Sequence, residues 1–357
     1  MYIWRIRVMH FRKFLLPVSW LYGMIMSMRN FFYDKRIFSS KEFEVPVICV
    51  GNLSVGGTGK TPHVEYIIQL LNDRVIATLS RGYGRKSKGY LIAGPNMTSE
   101  TIGDEPAQYA LKFPHIIVAV GEERVHAIEN LQSQFPGLDA IIMDDGFQHR
   151  SVKPGLSVLL TDYSLLFTKD FLLPAGNLRE GRNGYKRADL IIVTKCPALS
   201  ENEKQNIIPE ISPVKTQKVL FSRMVYDALV PFRNENHGID IQQLKEYDVF
   251  LLTGIANPKN LVEFLKQKSY HLYEIKFPDH HVFSKNDLQM VKRKFDNIVA
   301  QKKIIVTTFK DFTRLKKENL QELIHDLPFY YLPVKVEFDE MDKKIFEEKI
   351  LNYVGKN

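Results

Sequence analysis

The sequence predicts an α/β protein with a doubly wound, mostly parallel main sheet and a second, smaller α/β domain. Two observations support this prediction. Short apolar runs rich in Val and Ile lack strict alternation, which is typical of parallel strands buried on both faces. These runs alternate with segments of helical pattern, and the order strand–helix–strand indicates a doubly wound sheet. The length of 357 residues suits one large domain or two of ordinary size.

Six apolar runs predict the strands of the main sheet, and two segments between them predict helices. The predicted strands are residues 45–50, 75–79, 115–120, 139–143, 156–161 and 189–194, and the predicted helices are 61–71 and 122–131. In such a sheet we expect ligands to bind where the loops leave the carboxyl ends of the strands.

A second group of elements begins near residue 245. Its predicted strands are residues 248–253, 272–276 and 303–308, and its predicted helices are 260–268 and 284–300. A polar stretch at 234–240 is the predicted linker. We therefore predict an N-terminal segment (1–40), a main domain (41–235), a smaller α/β domain (236–340) and a C-terminal helix (341–357).

The N-terminal segment combines positive charge with an apolar run. Eight Lys and Arg residues and a single acid, Asp34, occur in the first 41 positions. The apolar run 14–26 is shorter than the roughly 20 residues that cross a bilayer, and no signal-peptide cleavage site follows it. Basic flanks around a helix rich in Trp, Tyr and Met predict a segment that lies on an anionic membrane surface. The alternative is a helix whose apolar face packs on the domain.

The overall charge and the cysteines narrow the function classes. A formal net charge of +8 favours anionic partners, which include phosphates, nucleic acid and acidic membranes. No recognised nucleic-acid-binding motif occurs in the sequence, so we predict no nucleic-acid partner. Cys49 and Cys196 lie in or beside apolar runs, which predicts buried reduced thiols and neither a disulfide nor a metal site.

A glycine-rich loop between a predicted buried strand and a predicted helix carries the clearest chemistry. It reads Ser54-Val55-Gly56-Gly57-Thr58-Gly59-Lys60-Thr61. Its glycines let backbone N–H groups point at an anion, and the following helix adds the positive end of its dipole. We expect Lys60 to reach the β- and γ-phosphates of a nucleotide and Thr61 to bind Mg²⁺. Ser54 stands where the general P-loop motif has glycine, and the alternative is a turn with an incidental lysine.

Two adjacent acids close one of the predicted strands. Asp144 and Asp145 follow the apolar run 139–143, where P-loop enzymes place the carboxylate that serves Mg²⁺. Because neighbouring strand residues point to opposite faces, we expect different roles for them unless the strand has already turned. The alternative is an exposed Asp-Gly turn.

Other polar segments have both a functional and a structural interpretation. Asp104 and Glu105 precede a predicted helix, where a carboxylate can take the proton of an acceptor hydroxyl or cap the helix. His280 can polarise such a carboxylate after domain closure or lie in a surface turn, and no His or Cys spacing supports zinc. The cationic loops of Arg81 and Arg179 can grip a phosphorylated substrate or be solvated.

Six segments, in order over most of the chain, resemble tetraacyldisaccharide 4′-kinase, the lipid A 4′-kinase of Gram-negative bacteria. They are the phosphate loop with its flanks (50–62), Arg-Gly-Tyr-Gly (81–84), Gly-Asp-Glu-Pro (103–106), Asp-Asp-Gly-Phe-Gln-His-Arg (144–150), Leu-Pro-Ala-Gly-Asn-Leu-Arg-Glu (173–180) and Phe-Pro-Asp-His (277–280). A leading serine in the phosphate loop is typical of this family, so Ser54 becomes part of the resemblance.

The resemblance implies a reaction and a location. The γ-phosphoryl group of ATP would pass to the 4′-hydroxyl of a tetraacylated glucosamine disaccharide 1-phosphate, which gives lipid IVA in lipid A and lipopolysaccharide biosynthesis. Mg²⁺ is implied as the metal. The implied location is peripheral, on the cytoplasmic face of the bacterial inner membrane, where the basic N-terminal segment would hold the enzyme near its acylated substrate.

The resemblance also implies roles for individual residues. Asp104 would act on the 4′-hydroxyl with His280 as its dyad partner, and Glu105 would assist Mg²⁺ or the dyad. The residues that serve ATP and Mg²⁺ would be Lys60, Thr61, Asp144 and Asp145. The residues placed near the substrate or the nucleotide would be Arg81, His149, Arg179 and Glu180.

Two other classes of protein share part of this pattern. A P-loop kinase for another sugar or small metabolite is the alternative, and it would not need the N-terminal segment. A P-loop GTPase fits less well, although residues 192–197 resemble the guanine-binding Asn-Lys-x-Asp motif. Thr194 replaces the Asn and Pro197 stands in place of the Asp, so the carboxylate that reads guanine is missing.

Overall fold

The strands of the molecule form two sheets, one of nine strands and one of five. A computed structural model describes residues 12–95, 97–233 and 237–355. Residues 1–11 of the predicted N-terminal segment and the predicted boundary at 235–236 lie outside the described residues.

The main sheet is built from parallel strands with an antiparallel strand at each edge. Its strands are β1 (Val47–Asn52), β2 (Ile76–Ser80), β3 (Leu91–Ile92), β4 (Ile117–Val120), β5 (Ala140–Asp144), β6 (Leu156–Asp162), β7 (Leu190–Thr194), β8 (Lys218–Tyr226) and β14 (Val334–Phe338). They are ordered β14-β8-β7-β6-β1-β5-β2-β4-β3. The edge strands β14 and β3 are antiparallel to their neighbours. The predicted mostly parallel sheet is thereby confirmed.

Helices cover both faces of this sheet. They are α1 (Leu16–Asp34), α2 (Lys60–Leu70), α3 (Ser99–Ile102), α4 (Asp104–Lys112), α5 (Arg124–Gln134), α6 (Glu201–Ile211) and α11 (Glu340–Val354), with short 3₁₀ helices at Lys13–Leu15, Phe167–Lys169 and Arg182–Arg187. Val47 and Cys49 of β1 belong to one buried cluster with α5, while Ile48 and Val50 belong to another with α2 and α11. Alternate residues of a strand thus pack into two cores, as in a doubly wound sheet.

The smaller sheet is mixed. Its strands are β9 (Val230–Pro231), β10 (Asp248–Thr253), β11 (His271–Lys276), β12 (Lys303–Thr308) and β13 (Phe329–Leu332), in the order β11-β10-β12-β13-β9. Only β9 among these described strands is antiparallel to its neighbour. The accompanying helices are a 3₁₀ helix at Ile241–Glu246, α7 (Lys259–Lys268), α8 (Lys285–Asp296), α9 (Phe309–Leu315) and α10 (Glu318–His325).

The chain returns to the main sheet near its C-terminus. β14 pairs with β8 in the main sheet, and Phe346 and Ile350 of α11 are buried in the core that also holds α2. Tyr353 supports this docking, since its hydroxyl lies 3.0 Å from Val47 N. The strand pairing assigns residues 334–338 to the main sheet and 230–231 to the smaller one; the domain boundaries at 235 and 340 stay predictions.

α1 packs one face on the main domain and leaves the other exposed. Tyr22 OH donates to Arg179 O at 2.6 Å, and Ser19 Oγ accepts from Ala175 N at 2.9 Å. The outward residues are apolar and more than half exposed, and they include Val18, Trp20, Leu21, Met24, Ile25 and Met28. The packed face agrees with the alternative of a helix that packs on the domain, and the membrane-surface interpretation of the segment stays a prediction. No helix within the described residues is long and apolar enough to cross a membrane.

Candidate active site

The phosphate loop lies between β1 and α2 and takes a conformation that its glycines allow. Gly56 and Gly59 have φ angles of 110° and 87°, in the region that side chains other than glycine rarely permit. The N–H of Val55 donates to Asn177 O at 2.7 Å, which ties the loop to a neighbouring one. α2 begins at Lys60, directly after Gly59, so the positive end of its dipole lies at the loop.

Side chains at the carboxyl ends of β1 and β7 hold the loop in place. Asn52 Nδ2 donates to Thr58 Oγ1 at 2.9 Å, and Thr194 Oγ1 donates to Thr58 O at 2.8 Å. Lys195 Nζ, just after β7, donates to Gly57 O. β1 and β7 therefore fix the shape of the loop without help from a nucleotide.

Lys60 reaches from the start of α2 to the carboxyl end of β5. Its ammonium nitrogen lies 3.3 Å from Asn52 Oδ1 and 3.4 Å from Asp145 Oδ1. The side chain is only 16% exposed, so its charge is weakly screened by water and available to a phosphate. This placement matches the lysine of a phosphate loop.

The two acids at the end of β5 have different environments. Asp144 is the buried last residue of the strand, and its Oδ2 accepts from Tyr109 OH at 2.8 Å. Burial raises the pKa of Asp144 to about 6, with Lys60 opposing the rise and Asp145 adding to it. Asp145 has a φ of 55°, so the chain has already turned there and both acids stay near Lys60.

Asp145 is paired with cations, whereas Asp144 keeps an open oxygen. Arg179 Nη1 donates to Asp145 Oδ2 at 2.8 Å. Burial alone would raise the pKa of Asp145, but Lys60 and Arg179 outweigh it and lower that pKa. In the described part of the chain Asp144 Oδ1 and Asp145 Oδ1 are both buried without a hydrogen-bond partner, but Lys60 Nζ lies 3.4 Å from the Asp145 oxygen. The ionised Asp145 thus orients Lys60 and Arg179, and Asp144 offers the free oxygen.

Glu180 lies behind Arg179 and is surrounded by protein donors. Its side chain is 1% exposed and accepts from Arg187 at 2.8 Å. It also accepts from Gln148 at 3.0 Å and from Asn30 of α1 at 2.9 Å. The carboxylate therefore links α1 to the Arg179 loop, and the Gln148 that it binds accepts from Arg179 Nη1 at 3.2 Å.

A buried arginine, Arg124, lies beside the two acids. Arg124 is buried on α5, and burial lowers its pKa to about 10 although Asp144 and Asp145 oppose the change. Its Nε and Nη2 have no partner among the described residues. Burial, followed by the charges of Arg124 and Arg81, lowers the pKa of His149 to about 4. Arg124 is suited to binding an anion, because two of its hydrogen-bond donors are unused.

A second group of charged residues, the Asp104 cluster, consists of Asp104, His280, Lys310 and Arg314. His280 Nδ1 lies 2.8 Å from Asp104 Oδ2. Arg314 donates from Nε to Asp104 Oδ1 at 3.1 Å and from Nη2 to Oδ2 at 2.5 Å. Lys310 Nζ is 3.7 Å from Oδ2 and 3.1 Å from Glu105 Oε1. The cluster joins the main domain to the smaller sheet.

Charge decides the ionisation of Asp104. Burial works to raise its pKa, but Arg314, Lys310 and His280 together lower it. Asp104 is therefore ionised. Gly103, with a φ of 94°, occupies the cap of α4, and no side chain caps the helix. Asp104 is the first residue of α4 and not its cap, so the capping interpretation is wrong. The carboxylate oxygens of Asp104 bind His280 and Arg314 instead of the N–H groups of the helix.

α4 connects the Asp104 cluster to the acids of β5. Asp104 begins this helix, and Tyr109, five residues later, donates to Asp144. The charge of Glu105, the second residue of α4, also contributes to the raised pKa of Asp144. Asp104 and the hydrogen-bond partner of Asp144 are thus held on one short helix.

Three residues of the site escaped the sequence analysis. Arg124 lies inside a predicted helix, and Lys310 and Arg314 lie on α9, which was not predicted at all. A cation within a helical pattern is indistinguishable from a solvated one until tertiary packing buries it. The sequence therefore held no local signal for them.

A phosphate loop on a parallel sheet, an acid pair beside it and an ionised carboxylate on a helix that contacts this pair define the class of P-loop phosphotransferases. Comparison with known proteins identifies the family. The model of the tetraacyldisaccharide-1-P 4′-kinase family matches residues 11–354, and the chain belongs to this family. Its activity is accordingly tetraacyldisaccharide 4′-kinase activity, an ATP-using step of lipid A biosynthesis.

Relatives share almost the whole chain. The tetraacyldisaccharide 4′-kinase of Bacteroides thetaiotaomicron is 46% identical, over 97% of this chain and 94% of its own length. That of Flavobacterium johnsoniae is 44% identical, over 97% and 98%. A crystal structure of LpxK from Aquifex aeolicus in complex with ATP matches with a TM-score of 0.71 and 31% identity, covering 96% of this chain and 99% of that one.

Proposed function

We propose that this chain transfers the γ-phosphoryl group of ATP to the 4′-hydroxyl of an acylated glucosamine disaccharide 1-phosphate at a membrane surface. One observation carries the residue roles in this proposal. The ionised Asp104 is held by His280 at 2.8 Å and shares α4 with Tyr109, which contacts Asp144 beside the phosphate loop. One short helix therefore links the carboxylate to the nucleotide site.

The phosphate loop, Ser54–Thr61, binds the nucleotide in this proposal. Its N–H groups and the α2 dipole hold the phosphates, and Lys60 neutralises the charge of the β- and γ-phosphates. The ammonium is already held at the loop by Asn52 and Asp145, so little reorganisation is needed when ATP binds.

The residues present fit Mg²⁺. Asp144 Oδ1 is a buried oxygen without a hydrogen-bond partner within the described residues, and Thr61 adds a hydroxyl at the start of α2. Mg²⁺ usually keeps several waters and is held by one or two carboxylates together with substrate phosphates, which is the kind of donor set that these residues offer. Asp144 and Thr61 would hold Mg²⁺, with Asp145 and Glu105 nearby; when bound, it supplies charge neutralisation on the phosphates.

Asp104 accepts the proton of the 4′-hydroxyl as that oxygen attacks the γ-phosphorus. The O4′–P bond forms, the bond from the γ-phosphorus to the bridging oxygen breaks, and ADP leaves with that oxygen. A carboxylate can only accept hydrogen bonds, so the Asp104 contact places a hydrogen on His280 Nδ1. His280 thus orients Asp104, and Lys310 places Glu105 next to it.

The cationic residues near the acids bind the anionic parts of the reactants. Arg179 donates to Asp145 at 2.8 Å and to Gln148 at 3.2 Å, which holds its guanidinium beside the two acids. Arg81 and the neutral His149 border the same region. We assign these residues to the substrate and the transferring phosphoryl group, as charge-assisted donors.

α1 would rest on the membrane as a peripheral anchor on the cytoplasmic face of the bacterial inner membrane. Its exposed apolar face is suited to the headgroup region, and basic residues flank it. The test is sedimentation with vesicles containing about one third phosphatidylglycerol, because anionic lipid contributes to binding. We expect the double substitution Trp20→Glu and Met24→Glu to abolish binding. Met341→Glu, at a residue 72% exposed on α11, is the matched control and should bind normally.

The reaction itself is tested by product analysis. The chain is incubated with ATP, Mg²⁺ and the acylated disaccharide 1-phosphate in detergent, and the phosphorylated hydroxyl is located by ³¹P–¹H correlation NMR. We expect phosphate on the 4′-oxygen. Transfer only to unacylated sugars or other small metabolites would overturn the proposal in favour of a different P-loop kinase.

A further inference from the structure

Arg314 is the most completely buried member of the Asp104 cluster. It lies on α9 of the smaller sheet, and its side chain is 4% exposed. Its Nη1 donates to Gly254 O at 2.8 Å and to Asp311 Oδ1 at 3.1 Å. Asp311 is itself held by Thr308 Oγ1 at 2.8 Å. Arg314 is therefore fixed within the smaller sheet before it contacts Asp104 of the main domain.

The hydrogen bonds of Asp104 leave one direction open. An ionised carboxylate offers about four lone-pair sites, two on each oxygen. His280 Nδ1 and Arg314 Nη2 occupy both sites of Oδ2. Arg314 Nε occupies one site of Oδ1. Among the contacts of the described residues, a single acceptor site thus remains, and it lies on Oδ1.

The position of the hydrogen on His280 agrees with this count of acceptor sites on Asp104. Its Nδ1 is 3.2 Å from Arg314 Nη2 as well as 2.8 Å from Asp104 Oδ2. Arginine has no acceptor and the carboxylate has no donor, so the hydrogen on Nδ1 goes to Asp104. Arg314 and His280 are then two donors side by side that share one acceptor oxygen.

We propose that Arg314 is a positioning residue for phosphoryl transfer: its fork fixes the plane of the Asp104 carboxylate and leaves only Oδ1 free for the acceptor hydroxyl. The inference rests on the proposed role of Asp104. Lys310 cannot replace this function, since its ammonium is 3.7 Å from Oδ2 and adds charge without direction. Docking of the smaller sheet through Arg314 thereby selects the oxygen that takes the proton.

The test is a double-mutant cycle on the full-length chain, with kcat and the KM for ATP measured for phosphorylation of the acylated disaccharide 1-phosphate. The variants are Arg314→Gln, Arg314→Lys, Asp104→Asn and the two doubles Asp104→Asn/Arg314→Gln and Asp104→Asn/Arg314→Lys. Lys317→Gln is the matched control, because Lys317 pairs with Glu100 at 2.5 Å across the same junction without touching Asp104.

We expect Arg314→Gln to lower kcat about 100-fold with the KM for ATP changed less than about twofold. Arg314→Lys should regain part of that loss, because it returns the charge but not the fork. In the Asp104→Asn background, either change at Arg314 should lower the residual rate less than about twofold, since its partner is gone. Lys317→Gln should keep kcat within about twofold of wild type.

Three results would overturn the inference. The first is an Arg314→Gln effect that multiplies fully with that of Asp104→Asn, and the second is a Lys317→Gln loss as large as that of Arg314→Gln. The third is an unchanged kcat in Arg314→Gln. Where Arg314→Gln does not fold by thermal melting, the Arg314→Lys cycle decides by the same criteria. Loss of 4′-transfer in wild type would refute the proposed function and is distinct from all three.

Discussion

The phosphate loop and the Asp104 cluster are linked through α4 and Asp144, but the chain builds them in opposite ways. Lys60 and its partner Asn52 are 8 residues apart, and one strand–loop–helix unit forms the phosphate loop itself, with side chains of β5 and β7 added around it. Asp104 and its partners His280 and Arg314 are 176 and 210 residues apart. The nucleotide side is therefore local, whereas the acceptor side exists only where the smaller sheet docks on the main domain.

This difference predicts a division of labour. Residues of the local unit should affect ATP binding and turnover together, because the loop is preformed by β1, β7 and α2. Residues of the Asp104 cluster should affect turnover while ATP binding persists. Single substitutions on either side of the site test this division.

Lys60→Ala tests the phosphate side and should have the largest effect. Loss of the ammonium removes charge stabilisation from both bound and transferring phosphates, so we expect kcat to fall about 10³-fold and ATP affinity at least about tenfold. The measurements are calorimetric titration with ATP-Mg²⁺ and steady-state kinetics. Lys343→Ala, at an exposed lysine of α11, should behave as wild type. Retained ATP affinity in Lys60→Ala would contradict the local division.

His280→Ala tests the partner of Asp104. We expect kcat to fall about 10²-fold, because the carboxylate loses its orienting donor, with the ATP dissociation constant within about twofold of wild type. His281→Ala is the matched control: this neighbour pairs with Asp287 at 3.1 Å and stacks on Phe277. A wild-type rate in His280→Ala would leave the smaller sheet without its catalytic contribution.

Lys195→Met tests whether a residue outside the phosphate-loop motif contributes to ATP binding. Lys195 Nζ bonds to Gly57 O and lies 2.8 Å from Asp162 Oδ2. Losing this tether should raise the KM for ATP about fivefold and leave kcat within about twofold, since the loop is loosened without losing Lys60. A fall in kcat at unchanged KM would show that Lys195 acts in the chemical step.

His149 gives the smallest effect, on stability. Burial and the nearby cations lower its pKa to about 4 in the folded state, below the ordinary value of about 6.5. The unfolded chain therefore binds the proton first as pH falls, and stability is lost from pH 6.5 downwards toward pH 4. Between pH 7.5 and pH 6 the free energy of unfolding of wild type should fall about 0.8 kcal/mol more than that of His149→Gln. Equal slopes in denaturant titrations would show that His149 is accessible to protons in the folded chain.

The contrast between local and distant contacts also explains which features could be predicted from the sequence. The phosphate loop could be predicted because glycine spacing, the flanking strand and the helix start are all local signals. The buried strands were found for the same reason, and both cysteines are buried and free as predicted. Predicted ends differ slightly: the helix expected to reach residue 300 ends four residues earlier, at Asp296.

Non-local features were predicted poorly or only through family resemblance. Asp104 and His280 alone suggested a helix cap and a surface turn, because nothing near either residue reveals a partner so far along the chain. β14 was not predicted, and neither was β8, its partner across more than 100 residues. Edge strands need a neighbour to define them, and that neighbour is set by tertiary packing.

Asp104→Asn gives the most direct test of the two-part site. It keeps the size of the side chain and removes the proton-accepting charge. ATP affinity by calorimetry and phosphoryl transfer by single-turnover kinetics are measured on the same preparation. We predict an ATP dissociation constant within about twofold of wild type and a transfer rate lower by at least about 10³-fold. Near-normal transfer, or loss of ATP binding together with transfer, would contradict the account.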